Sequence, residues 1–180
     1  FLRELVDAVE DGTTGAEFRK RMNDFLERNG YTAASPWHLD VIYRTNLQTA
    51  YNAGHYASMQ TTKKLRPYWQ YKTAEDGHVR ESHAAMQDRV YAADDPIWDV
   101  WYPPNGFRCR CTVVSLSERQ VEERKLEVSD RPPTSLINNE PVFPDKGFSN
   151  NPATTPWKLD TSNFDPALKS VLREKTDSGG

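Results

Sequence analysis

An α+β domain is the fold this sequence predicts, with N-terminal helices packed on a small mixed β-sheet and an extended proline-rich arm behind it. Three observations predict it. Apolar residues recur at helical spacing through the first third of the chain. Two short segments, 68–73 and 110–116, are rich in aromatic or β-branched side chains that suit a strand. Beyond residue 129 the periodicity fades, and residues 130–166 hold seven prolines, as in an extended arm or linker. The chain divides accordingly. Residues 1–34 form a helical segment ending a longer region, 35–128 an α+β core, and 129–180 the arm with a short terminal helix.

The elements follow in order. Leu2, Leu5, Val6 and Val9 make one helical stripe, broken at Asp11-Gly12-Thr13. Thr14 and Glu17 have the spacing of a capping box, in which each residue's side chain satisfies the other's backbone N–H. Phe18, Met22, Phe25 and Leu26 continue that second helix, and Asn29-Gly30 closes it. Ser35-Pro36 opens a third as N-cap and first-turn proline. It runs from Trp37 to about Lys64 and carries Trp37, Val41, Leu47, Tyr51 and Ala57 among polar groups that imply use of both faces. Arg66-Pro67 stops it, because the residue before a proline is driven out of the helical region.

Tyr68 to Thr73 reads as a strand, Asp76-Gly77 as a turn and Val79 to Met86 as a short helix. Residues 91–107 read as an irregular Trp- and Pro-rich loop, and Arg110 to Leu116 as a second strand. Ser117 and Gln120 repeat the capping-box spacing and open a charged helix to about Lys125. Asp165-Pro166 caps a last short helix through Leu172, before a frayed Ser-Gly-Gly end.

Composition narrows the function. A net charge of −3 argues against a dominant nucleic-acid surface. No run is long enough to span a bilayer, and no signal peptide is visible. The chain begins at Phe1, which leaves room for residues upstream. Two cysteines make no disulfide framework, and reduced thiols in a cytosol-like compartment are expected.

Those cysteines carry the sharpest chemical signal. On an extended strand, residues i and i+2 face the same way. Cys109 and Cys111 then present two sulfurs to one point, while Arg108 and Arg110 point away. One reading is a structural zinc site completed by His83 and a further ligand such as His78 or Asp94. The other is a pair of buried strand thiols; the C-x-C spacing is not that of the common zinc knuckles. A redox or nucleophilic role is a third, because flanking arginines lower a thiol's pKa. Arg80 and His83, at i and i+3 near Asp76, form either an acid–base pair or two anchors for the 91–107 loop. Trp98, Trp101, Tyr102 and Phe107 are a stacking platform or a satellite core. Arg19-Lys20-Arg21 and Lys63-Lys64-Leu65-Arg66 are phosphate contacts or solvated helix ends. Dinucleotide-binding, Walker A, zincin and nucleophile-elbow motifs are all missing from the sequence.

A longer pattern runs through Arg44-Thr45-Asn46, Tyr51 to Gly54, Arg66-Pro67, Arg80, His83 and Asp95-Pro96. It continues through Pro103-Pro104-Asn105-Gly106-Phe107 into Cys109-Arg110-Cys111, and closes with Gly147-Phe148 and Asn151-Pro152. Over roughly residues 36–152 this order resembles the Mu F-like head morphogenesis proteins of tailed bacteriophages. One departure is Met86-Gln87-Asp88, where such proteins often carry a glycine-containing turn. The resemblance implies a minor head protein, present in few copies, that docks to the portal or capsid protein. It would assist head assembly, DNA packaging or genome delivery, in the host cytoplasm during assembly and then at the portal vertex of the virion head. It implies no membrane partner and only weak contact with packaged DNA. It carries over no catalytic residue. Two readings of other classes stand beside it: a nucleotide- or NAD-consuming transferase or effector using Arg80 and His83, and a DNA-binding module.

Overall fold

The structure is a computed structural model that describes residues 2–155, with side chains from residue 5 onward. The expected stripe residue Leu2 and the expected terminal helix through Leu172 lie outside these limits. Three helices come first: α1 (Leu2–Glu10), α2 (Gly15–Arg28) and α3 (Pro36–Thr62). The capping box at Thr14 forms as the spacing requires, with Thr14 Oγ1 accepting from the Glu17 N–H and the Glu17 carboxylate accepting from the Thr14 N–H. Ser35 caps α3 in the same way, its hydroxyl accepting from the His38 N–H. Gly30 takes φ +76° just past α2, a conformation favouring glycine.

These helices bury Ala8, Phe18, Met22 and Leu39 in a cluster of their own, flanked by half-buried Leu5, Ala34, Ile42 and Tyr43. The α1 stripe is therefore narrower than its sequence suggests. Leu5 and Ala8, at i and i+3, meet the neighbouring helices, and Val6 and Val9 stay exposed.

Three strands, β1 (Tyr68–Lys72), β2 (Val90–Ala92) and β3 (Thr112–Leu116), form a sheet in the order β2-β1-β3. Both pairings are antiparallel, with Trp69 opposite Tyr91 on one side and Ser115 on the other. The predicted sheet was mixed; the one parallel contact among the described residues is an isolated bridge between Val90 and Val128. Short helices α4 (Glu81–Ala84), α5 (Ile97–Trp101) and α6 (Glu118–Glu123) pack around it. The second capping box, Ser117 with Gln120, opens α6. Asp88, in the turn that departs from the family pattern, adopts φ +62°, where glycine is the favoured residue, and its carboxylate pairs with Lys72 at 2.6 Å.

Period-2 alternation sends Trp69 and Tyr71 to the same face of β1. There they join Met59, Tyr91, Trp98, Trp101, Tyr102 and Val113 in the main core. Tyr56 of α3 meets Trp69 and Tyr102 edge-on at 5.4 and 5.0 Å between ring centroids, an arrangement that the ring quadrupoles favour. Truncating one such buried aromatic to alanine costs about 3–5 kcal/mol. The segment 91–107, expected as an irregular loop, thus supplies a strand, a helix and much of the core. Of the two readings of the aromatic cluster, the core holds over the stacking platform: Trp98, Trp101 and Tyr102 are buried, and only Phe107 is exposed, edge-on to Phe148.

The first part of the arm also differs from expectation. Residues 129–155 fold back on the domain instead of extending from it. The Tyr91 hydroxyl donates to the Arg131 carbonyl, Val142 packs on the main core, and Asn151 is fully buried.

Candidate functional site

The turn Pro103-Pro104-Asn105-Gly106 delivers the two cysteines to the centre of the molecule. They precede β3 instead of lying on it, because their would-be partner strand β1 ends at Lys72, opposite Thr112. The chain stays extended enough to keep the expected alternation. Both sulfurs face His83 Nδ1, Cys109 Sγ at 3.8 Å and Cys111 Sγ at 3.6 Å. All three residues are buried, and both cysteines are free. Arg108 and Arg110 turn the other way, onto Asp40 and Asp76.

His83 is held from its far side. Its Nε2 lies 3.2 Å from the Asn105 carbonyl. A carbonyl only accepts, so Nε2 carries the proton and Nδ1 directs its lone pair at the sulfurs. Asn105 is fixed in turn: its Oδ1 accepts from the Tyr71 hydroxyl at 2.7 Å, and its carbonyl also accepts from the Asp145 N–H at 2.9 Å. The two thiols are driven apart in acidity. Hydrogen bonding from Cys111, helped by nearby backbone N–H groups, draws the Cys109 thiol well below its ordinary range. The bond to Cys109, burial and the charge of that thiolate push Cys111 upward. Tyr71 is raised too, chiefly by burial.

Arg80, the N-cap residue of α4, donates to the Phe107 carbonyl at 2.8 Å and pairs with Asp145 at 3.2 Å. Arg80 and His83 thus grip consecutive parts of one turn. Asp76 does not join them; it takes a bidentate bond from Arg110 at 2.6 and 2.8 Å, which holds its carboxyl down at about 2. Gly106 sits where a Cβ would overlap the Asp145 carboxylate, so any other residue there must displace that side chain. Of the two candidates for one further ligand, neither His78 nor Asp94 belongs to the three-residue cluster, whose ligand atoms lie within 4.8 Å of one another. Asp94 instead pairs with Lys63 at 3.7 Å.

The other residues of the pattern have local roles. Asp95 accepts from the Ile97 N–H and Pro96 precedes α5 as its N-cap. The Pro67 carbonyl accepts from the Ala93 N–H. Arg44 pairs with Asp40 one turn back, and Asn46 bonds the Ile42 carbonyl. Arg66 turns inward to the Ser115 hydroxyl and carbonyl.

Three polar residues of α3 were not singled out by the sequence reading. Gln48 and Asn52 both donate to the Cys111 carbonyl, at 3.0 and 3.5 Å, and His55 bonds the Val113 carbonyl at 2.7 Å. With Arg66 on Ser115, side chains reach three alternate carbonyls of one strand and its lead-in. The signal was available: positions 48, 52 and 55 are i, i+4 and i+7, a helical stripe of donors. Beside this array opens a cleft of about 940 Å³ lined by Arg19, Arg44, Arg80, Arg108 and Arg110, with Asp40 bonded to three of them.

The family described as Phage Mu protein F like protein matches residues 1–114. The putative capsid assembly protein F of Escherichia phage Mu is 39% identical over 145 residues, covering 71% of this chain and 33% of that protein. The Mu-like prophage FluMu F protein of Haemophilus influenzae is 35% identical over 166 residues, covering 86% of this chain and 40% of that protein. The chain therefore spans only a third to two fifths of the length of these relatives. No solved structure matches it. The matched span takes in the cysteine pair, His83 and the turn that joins them, and the chain belongs to the Phage Mu protein F like family.

Proposed function

We propose that this domain is a docking and assembly module of a minor head protein in a tailed phage or prophage. It binds capsid or portal components in the host cytoplasm and remains at the portal vertex, assisting head assembly, packaging or delivery. The observation that carries the reading is the likeness to a protein named for capsid assembly, over most of this chain. The arm supports it. Leu136, Ile137 and Phe143 stand exposed on a segment that is otherwise tied to the domain. Exposed apolar side chains on one segment suit a protein partner. Among the described residues no helix is long and apolar enough to cross a membrane.

The residues considered for catalysis support a non-enzymatic role. His83 is 2% exposed with both ring nitrogens engaged, and Arg80 is occupied by Phe107 and Asp145. The test is incorporation. Changing Leu136, Ile137 and Phe143 together to serine leaves the melting temperature close to that of the parent and sharply lowers co-sedimentation with portal and capsid shells. Unchanged co-sedimentation with an intact fold sinks the arm as the docking element.

A second reading rests on the arginine-lined cleft. Five guanidinium groups around one depression fit weak contact with DNA phosphates, offset by Asp40, Asp76 and Asp145. Binding of this kind falls steeply with salt. Replacing Arg44 and Arg108 with alanine is expected to flatten that salt dependence; identical slopes count against the cleft.

A further inference from the structure

Hydrogen bonding alone leaves the sulfur cluster half explained. His83 Nδ1 has one lone pair, and one lone pair accepts one S–H. Yet two sulfurs stand at nearly equal distances from it, 3.6 and 3.8 Å. A tetrahedral zinc ion with bonds of about 2.3 Å to sulfur and about 2.0 Å to nitrogen holds its ligand atoms about 3.5 Å apart. The observed spacing is close to that edge length.

The surroundings are those of a metal-binding histidine. Metal-ligating imidazoles donate their other N–H to a carbonyl or carboxylate, which fixes the tautomer and aims the ring. The Asn105 carbonyl does this for His83, and Tyr71 and Asp145 hold Asn105 in place. The ligand set, two thiolates and an imidazole, suits zinc over magnesium or calcium, which take oxygen ligands. A small cavity of about 20 Å³ adjoins all three residues. That volume admits one water, so a fourth coordination position has room.

We propose that Cys109, Cys111 and His83 bind one zinc ion, with a water molecule in the adjoining cavity as fourth ligand. The ion clips the Pro103–Cys111 turn to α4 from the inside. Thiols bind the ion only as thiolates, so affinity rises with pH. The proposed ligands do not include the exposed arm residues Leu136, Ile137 and Phe143, and neither proposal depends on the other.

The test uses the whole chain, expressed and purified without chelator. Elemental analysis is expected to find zinc near one equivalent per chain. After the metal is stripped, cobalt(II) added alone should restore one equivalent and produce thiolate-to-cobalt charge-transfer absorption. Cys109→Ser, Cys111→Ser and His83→Gln should each lose most of the bound metal, and Asp76→Asn should keep it. Because the cysteine variants can fail to fold, the measurement on the unaltered chain decides. Folded protein with metal content near zero, and no cobalt absorption on titration, overturns the site. So does metal that stays at one equivalent in folded His83→Gln and Cys111→Ser chains.

Discussion

Gly106 shows how little room the central turn leaves. The nearest atoms to a Cβ there belong to Asp145, whose carboxylate is bonded to Arg80, and Arg80 Cζ itself lies 3.4 Å away. Gly106→Ala must push Asp145 off its partner, and overpacking of this sort costs about 1–3 kcal/mol. Chemical denaturation measures it, and a stability equal to the parent's refutes the tight fit. The Asp76–Arg110 pair predicts a pH effect. Asp76 is depressed to about 2 by its bonds from Arg110 and from the His78 backbone. A lowered carboxylate stabilises the fold above its unfolded value, near 4, and that contribution disappears as pH falls through about 2. The difference in stability between the parent and Asp76→Asn should therefore shrink between pH 4 and 2. The pair is open to solvent, so salt should shrink it as well. A difference independent of pH across that window contradicts the assignment.

At the scale of elements, local chemistry was easiest to read. The capping boxes at Thr14 and Ser117, the Ser35-Pro36 start and the strands β1 and β3 follow from residue types at fixed spacings. Three features did not, for separate physical reasons. Helix α5 and strand β2 lie in a stretch too short and too proline-rich to show a period. The cysteines fall short of β3 because a strand extends only as far as its partner, and the end of β1 was invisible from Cys109. Helix α3 inverts the usual rule: Trp37, Leu47 and Tyr51 are exposed, and Gln48, Asn52 and His55 turn toward β3. Apolar periodicity cannot find a face that docks through hydrogen bonds. The sulfur–histidine cluster itself was legible, since alternation and the nearby turn suffice to bring the three together. The Asn105 brace was not, because nothing local ties residue 105 to residue 83. One prediction belongs to α3. Gly54 lies in mid-helix, exposed, and a Cβ there meets nothing within 4 Å. Gly54→Ala should stabilise the domain by about 0.5–1 kcal/mol, seen as a higher denaturation midpoint. A loss of stability would mean that the position is packed.

For the molecule as a whole, the arm is part of the fold. A chain ending at Asp130 loses the Arg131 carbonyl that holds Tyr91, the packing of Val142, and Asp145 with its bonds to Arg80 and Asn105. Several hydrogen bonds at about 1 kcal/mol each put the loss at roughly 2–4 kcal/mol. A chain cut at 130 that melts with the parent would return the arm to the status of a tether.

The donors along β3 have a consequence for crowding. An outer strand with bare carbonyls is a template on which another chain can add a strand, and sheets grow into aggregates that way. Here Gln48, Asn52, His55 and Arg66 occupy the positions an invading strand would need, at Cys111, Val113 and Ser115. At the opposite margin, Val90 already receives the Ser129 N–H. Acceptors at both margins are therefore already taken at these positions. A chain with alanine at Gln48, His55 and Arg66 should expose one margin and associate as its concentration rises, with a gain of β signal detectable by light scattering and circular dichroism. If it stays monodisperse at concentrations where the parent does, the helix was holding β3 in place without guarding it.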